Sequence, residues 1–154
     1  MAPPVSTSPL ESLSTASLMP SDQTRAEWTI EELEATSHST DGANPALSKL
    51  LKDDRAKALL AALAGNSPFL ARLLVREADV LPSLLTEQAS QSLDTLLQAC
   101  RAEMEAAQDQ AALMEVARTA KRRVALLTAA ADVSTAWPLA SVTHALTILA
   151  DTVI

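Results

Sequence analysis

Glycine is almost absent from this chain: Gly42 and Gly65 are the only two in 154 residues. Tight β-hairpin turns depend on glycine for backbone angles that other residues adopt at a cost, so a hairpin-rich fold is disfavoured. Aromatic residues make up only 2% of the chain, with no tyrosine. A core must then be built from Leu, Ala and Val, which suits close packing of helices better than a sheet. We therefore predict an all-α fold.

The charge and the cysteine count narrow the classes of function. A net charge of −7 and a pI near 4.7 disfavour general nucleic-acid binding, which needs cations to displace counterions from phosphates. The single cysteine, Cys100, excludes an internal disulfide and provides no metal cluster. The sequence has no apolar run of the ~18 residues that a membrane span requires, and no signal peptide pattern. We expect a cytoplasmic protein that binds neither nucleic acid nor membranes.

The first 44 residues differ in composition from the rest. They are rich in Ser, Thr and Pro and have few periodic apolar positions, so we predict a disordered leader over residues 1–44. Within it, Thr29 followed by Glu32 resembles a capping box, and Trp28 lies beside it in a stretch that could form a short helix or a docking peptide.

Residues 45–154 contain regularly spaced helix boundaries. Asn44 with Pro45 is typical of a helix start, and Asp109 is a plausible cap for a long helix over 110–133. The sequence Gly65-Asn66-Ser67-Pro68 predicts a sharp joint between two helices, in which Gly65 ends one helix in the left-handed conformation and Ser67 and Pro68 begin the next. These signals predict an irregular bundle of about five to seven helices.

The longest helical pattern also carries the densest positive charge. At about 100° per residue, one face is apolar and the opposite face basic; the apolar face holds Leu113, Val116, Ala120, Val124, Leu127 and Ala131. Arg118, Lys121 and Arg122 lie on the opposite face and Arg123 at the border. These cations could form a solvent-exposed face of the helix, or they could face a nucleotide, an acidic partner or an adjoining domain. The pattern does not distinguish between these possibilities.

The last helix, opened by Pro138, has its own predicted apolar face, formed by Leu139, Val142, Leu146, Leu149 and Val153. His144 and Asp151 are predicted to point away from that face.

The sequence offers no residues for catalysis, cofactor binding or metal binding. It has neither a glycine-rich phosphate loop nor the spacings of His, Glu or Cys that hold zinc. His38 and His144 are isolated, and Cys100 lies at an apolar helix position where a packed thiol is expected. Asp53 and Asp54 are adjacent and diverge by about 100° on a helix.

Three stretches carry a resemblance to a known family over residues 55–154. They are Gly65 to Leu74 (GNSPFLARLL), Ala120 to Leu127 (AKRRVALL) with Ala131-Asp132, and Trp137-Pro138-Leu139 with Val142-Thr143, Ala145-Leu146 and Leu149-Ala150-Asp151. In order and spacing they resemble the N-terminal helical segment of the bifunctional glutamine synthetase adenylyltransferase/adenylyl-removing enzyme. The leader has no counterpart in that resemblance.

The resemblance implies that the protein takes part in the control of nitrogen assimilation. In that family a nucleotidyltransferase domain follows this segment, with two Asp residues, one apart, that hold Mg²⁺; this sequence contains no such Asp-x-Asp motif. One such domain transfers AMP from ATP to a tyrosine of glutamine synthetase, and the N-terminal one removes it by phosphorolysis. The segment would then precede the adenylyl-removing domain and be inactive alone, with glutamine synthetase and the regulatory PII protein as partners. Arg118, Lys121, Arg122 and Arg123 become candidates for contacts with that domain or with phosphate.

A stand-alone helical module that binds a partner protein is the alternative. It would use an apolar groove or the stretch around Trp28.

Overall fold

The chain is all-α, as predicted. A computed structural model describes residues 7–14 and 18–153, together with all side chains in those ranges except that of Leu139. Within those ranges there is no strand, and the α-helices are α1 (Pro9–Ser12), α2 (Gln23–Ser37), α3 (Pro45–Leu51), α4 (Asp54–Asn66), α5 (Pro68–Arg76), α6 (Leu81–Thr86), α7 (Ala89–Ala106), α8 (Gln110–Val133) and α9 (Leu139–Val153). A 3-10 turn, Ala78–Val80, joins α5 to α6. None of the described helices combines the length and apolar character needed to cross a membrane.

The helix starts follow local side-chain chemistry. The side chain of Asn44 accepts a hydrogen bond from the Leu47 amide at 3.0 Å, and that of Asp109 accepts one from the Ala112 amide at 2.8 Å. Such caps satisfy amide groups that have no partner inside the helix. Both predicted starts are thus confirmed, and the seven α-helices that follow residue 44 agree with the predicted five to seven.

The prediction of a disordered leader is wrong for residues 9–12, which form α1, and for residues 23–37, which form α2. Asp22 caps this helix, and Thr29 lies inside it with its hydroxyl donating to the Arg25 carbonyl at 2.8 Å, so Thr29 does not begin a capping box. The buried residues of α2 recur every three or four positions and are Ala26, Thr29, Leu33 and Ser37. Two of them, Thr29 and Ser37, are polar, so the buried face did not show as an apolar pattern in the sequence. The parts of the disorder prediction that fall on residues 1–6 and 15–17 lie outside the described residues.

Two groups of helices share one core. Helix α4 lies in the middle of the first group and packs against α2, α3 and α5, while α8 packs against α7 and α9 in the second. Contacts of α8 with α4, α5 and α6 join the groups. The residues buried most completely where these helices meet include Leu59, Leu60, Val124 and Leu127, each 0% exposed. The core is therefore aliphatic, as the composition requires.

The predicted apolar face of α8 is buried over only part of its length. Ala120, Val124, Leu127 and Ala131 are buried, whereas Leu113 is 37% exposed. The buried residues of α8 begin at Ala120. The apolar face therefore continues along the amino-terminal half of the helix, but neighbouring helices do not fully cover it there. Periodicity gives the direction in which a side chain points but does not show what covers it.

Candidate functional site

The four candidate cations of α8 occupy two different environments. Arg122 and Arg123 point toward the junction of α5 with the 3-10 turn, and Arg118 and Lys121 lie beside α9. The structure therefore does not bring the four together as one basic patch.

Arg122 and Arg123 bind the same buried carboxylate. Nε of Arg122 donates to Oε1 of Glu77 at 2.6 Å, and Nε of Arg123 donates to Oε2 at 2.9 Å. The Glu77 side chain is only 5% exposed. A carboxylate so far removed from water is costly unless charged donors replace its hydration, and two guanidinium groups provide that replacement. The three residues form an ion-pair cluster that fastens α8 to the end of α5.

Further groups extend this cluster to the surface. Arg122 also donates to Thr119 Oγ1 at 2.9 Å and to Glu115 Oε1 at 3.2 Å, while Arg123 lies 3.6 Å from a carboxylate oxygen of Asp79. The hydrogen bond with Glu77 raises the pKa of Arg122 above its ordinary value, and the hydrogen bond from Arg122 lowers the pKa of Glu115. The Glu115 contribution to stability is present above its unfolded pKa and is lost as the pH falls through the lower folded pKa.

The position of Arg122 differs from the solvated-face interpretation. Its side chain is 17% exposed, and its pairing with Glu77 was not predicted. Glu77 lies 45 and 46 residues before the two arginines. The one available signal was an acidic residue at the end of an apolar helix, which is a common and unspecific pattern.

Arg118 and Lys121 border an apolar groove between α8 and α9. The groove has a volume of ≈ 470 Å³ and is lined by Ala117, Arg118, Lys121, Ala125, Leu146, Leu149, Ala150 and Val153. Three residues predicted to share the apolar face of α9, Leu146, Leu149 and Val153, all line this groove. Leu149 is buried, whereas Leu146 is 47% exposed. In the part of the chain that the structure describes, Lys121 has no ion pair, and Arg118 has only an exposed contact with Glu115 at 3.7 Å. These two cations are available to a partner.

The helix joint at Gly65 forms for a different reason from the predicted one. Gly65 and Asn66 belong to α4, and Gly65 does not have a positive φ. A Cβ atom at this position would lie 2.1 Å from Pro20 Cβ and 2.9 Å from Pro20 Cα. Glycine is required here because another part of the chain passes against the helix. The predicted roles of Ser67 as cap and Pro68 as first helical residue are confirmed.

The end of α4 is a binding site for the segment that leads into α2. The Gly65 carbonyl accepts hydrogen bonds from the Asp22 amide at 3.0 Å and from the Ser21 hydroxyl at 3.0 Å. The Asn66 side chain accepts from the Ser21 amide at 3.0 Å and donates to the Met19 carbonyl at 3.1 Å. The joint motif therefore contacts residues that the sequence placed in a disordered leader.

Replacement of Gly65 by alanine is expected to lower the free energy of unfolding by about 1–3 kcal/mol, the usual range for overpacking. The added methyl group meets the Pro20 ring and backbone, which must move away. Chemical denaturation of both variants measures the effect. Gly42→Ala is the control, since nothing lies within 4 Å of a Cβ atom there. Equal stability of the two variants would contradict the close approach of Pro20.

The structure shows the surroundings of the two histidines, of Cys100 and of Trp28. His38 and His144 are exposed. Cys100 is buried, burial raises the pKa of its thiol, and its sulfur lies 3.8 Å from the Met104 sulfur. Trp28 is half-exposed on the outer face of α2.

Comparison with known proteins identifies a family. The family model described as glutamate-ammonia ligase adenylyltransferase matches residues 57–154, well over half of the chain. The chain belongs to this family. Glutamate-ammonia ligase is glutamine synthetase, so the resemblance seen in the sequence is confirmed, with nearly the same limits. No curated protein and no solved structure matches the chain.

The adenylyltransferase match covers some parts of the structure and not others. It begins inside α4 and includes the helix joint, the Glu77 cluster and the α8–α9 groove. Helices α1 to α3 lie outside it. The helix that binds the joint is thus not part of the matched segment, although the joint is.

The Mg²⁺ that the adenylyltransferase family implies does not fit the described residues. Among them, no group of three His, Cys, Asp or Glu side chains could hold a metal ion. Asp53 is occupied as the cap of α4, where it accepts from the Arg55 amide at 2.9 Å. Two of the four candidates for phosphate contact, Arg122 and Arg123, are bound to Glu77.

Proposed function

We propose that this chain is the N-terminal helical part of the enzyme that adenylylates and deadenylylates glutamine synthetase. The proposal places it directly before the adenylyl-removing nucleotidyltransferase domain, which supplies the Asp-x-Asp motif together with the sites for Mg²⁺ and ATP. The chain alone catalyses neither reaction. The family match and the order of the three resembling stretches support this position. Glutamine synthetase and the PII protein are then partners of the whole enzyme, in the cytoplasm.

The observation that carries the proposal is the groove between α8 and α9. It combines apolar side chains with two available cations, Arg118 and Lys121, inside the segment that matches the family. We assign this face to the contact with the nucleotidyltransferase domain, with the cations facing its carboxylates or its phosphate ligand. Arg122 and Arg123 act indirectly, since their bonds to Glu77 fix where α8 lies.

Charge reversal in the groove tests the proposal. In the enzyme that contains this segment together with its nucleotidyltransferase domain, the double variant R118E/K121E is expected to remove AMP from adenylylated glutamine synthetase about tenfold more slowly, a loss of about 1.4 kcal/mol. The control is K49E/R72E, which reverses two exposed cations away from the groove. Release of AMP as ADP in the presence of phosphate measures the rate.

Two outcomes would overturn the proposal. Equal rates for the two double variants would show that the groove is not the contact with the domain. A reading frame that encodes no Asp-x-Asp domain after this segment would instead favour the stand-alone interaction module.

A further inference from the structure

The residues that line the α8–α9 groove recur every three or four positions along each helix. They are Ala117, Lys121 and Ala125 on α8, and Leu146, Ala150 and Val153 on α9. From residue 117 to residue 125 the row on α8 extends about 12 Å, just over two helical turns. The groove therefore lies between two rows of side chains that each follow a helix.

This spacing fits a third helix better than an extended segment. Side chains of a helix recur at the same intervals, so their ridges can enter a groove between two such rows. Three lining residues, Ala117, Ala125 and Ala150, are small and let a helix backbone come close. A helix also pairs its own backbone groups, whereas an extended segment would leave some of them facing apolar side chains.

The apolar surface continues beyond the groove along α8. Leu113 and Met114 lie one turn before Ala117, on the same side of the helix. They are 37% and 46% exposed, and Leu146 in the groove is 47% exposed. Large apolar side chains that are exposed next to one another mark an interaction surface. The whole surface has room for about three turns of a partner helix.

The charges of the groove distinguish between the two partners of Arg118 and Lys121 named above, carboxylates and phosphate. Within the described part of the chain, no acidic side chain lines the groove. A phosphate would pair with the two cations but leave the apolar lining in water, since Ala, Leu and Val offer no hydrogen-bond donor. A helix with an acidic flank matches both parts, because its carboxylates pair with the cations while its apolar side chains cover the lining.

We propose that the α8–α9 groove binds an amphipathic helix of the nucleotidyltransferase domain, whose carboxylates pair with Arg118 and Lys121. The identity of the domain rests on the proposed function, whereas the helical form and the acidic flank follow from the groove. Arg118 and Lys121 are one turn apart on α8, so the carboxylates that they bind lie about one turn apart on the partner helix.

A bulky side chain in the groove tests for a helix. Ala150 is exposed, so Ala150→Trp leaves the core intact, and the indole occupies the groove without changing its charge. In the enzyme that contains this segment together with its nucleotidyltransferase domain, this variant is expected to remove AMP from glutamine synthetase about tenfold more slowly. The control is Ala102→Trp, at an exposed position of α7, which should stay within about twofold of the wild-type rate.

Photocrosslinking identifies the partner and does not depend on the folding of a tryptophan variant. In the same enzyme, p-benzoylphenylalanine replaces Leu146 or, as the control, Trp28, which has a similar exposure of 51% on α2. The reaction contains glutamine synthetase and PII, and mass spectrometry maps the products. The crosslink from position 146 is expected on a helix of the nucleotidyltransferase domain with Asp or Glu residues about one turn apart, and the crosslink from position 28 elsewhere.

A crosslink from position 146 to glutamine synthetase, to PII, to a second copy of the enzyme or to a segment without such carboxylates would overturn the proposal, as would the absence of any crosslink. The helix site and the proposed function fail under different results. If R118E/K121E slows AMP removal while Ala150→Trp equals Ala102→Trp, the groove contacts the domain through charge and no helix enters it. If neither R118E/K121E nor Ala150→Trp slows the reaction, the proposed contact with the domain fails as well.

Discussion

Replacement of Glu77 by alanine is expected to lower the free energy of unfolding by about 3–5 kcal/mol, the range for loss of one partner from a buried ion pair. The substitution removes the carboxylate that binds both Arg122 and Arg123, at 2.6 and 2.9 Å. Both guanidinium groups are largely shielded, with side chains 17% and 28% exposed. They would remain there without an equivalent partner, so the cost exceeds that of a lost surface contact.

Urea denaturation followed by circular dichroism measures this difference. The control is Asp79→Ala, which removes an exposed carboxylate 3.6 Å from Arg123 and should cost less than about 1 kcal/mol. Glu77→Gln should fall between the two, because the amide keeps an acceptor but loses the charge. If Glu77→Ala and Asp79→Ala destabilised the chain equally, the cluster would not fasten α8 to α5.

Truncation of Leu127 to alanine is expected to cost about 2–5 kcal/mol, as for other fully buried leucines. Leu127 is 0% exposed in the part of α8 that contacts the neighbouring helices. The alanine would leave a cavity in a close-packed interior in addition to the lost apolar burial.

Leu113→Ala is the matched control for this prediction. Leu113 lies on the same predicted face of the same helix, but it is 37% exposed, so its truncation should cost under about 1 kcal/mol. Thermal and urea denaturation of the two variants compares them directly. Similar losses at both positions would mean that the amino-terminal half of α8 is covered as fully as the rest.

Much of the helical framework could be read from short stretches of sequence. Three helices are capped by a side-chain oxygen that accepts a hydrogen bond from the amide three residues later. The capping residues are Asn44, Ser67 and Asp109. Such contacts depend only on neighbours in the chain, so the residue types suffice to predict them. The direction of the buried face of α8 followed from periodicity for the same reason.

The candidate site could be predicted only in part. The sequence identified Arg118, Lys121, Arg122 and Arg123 as a group, but it could not divide them between Glu77 and the α8–α9 groove. That division depends on a carboxylate more than forty residues away and on the packing of α9. Helix α2 was predicted only as one of two possibilities for the stretch around Trp28, because two of its four buried residues, Thr29 and Ser37, are polar.

The sequence by itself determined the all-α class, the starts of the main helices and the family of the chain. The tertiary structure alone decided which cations are bound internally, why residue 65 is glycine, and that α2 is ordered. The physical reason is the range of the interactions. Caps and helical periodicity act within one or two turns, whereas the bonds of Glu77 to α8 and the approach of Pro20 to Gly65 join residues about 45 positions apart. Contacts of this kind exist only once the helices have packed.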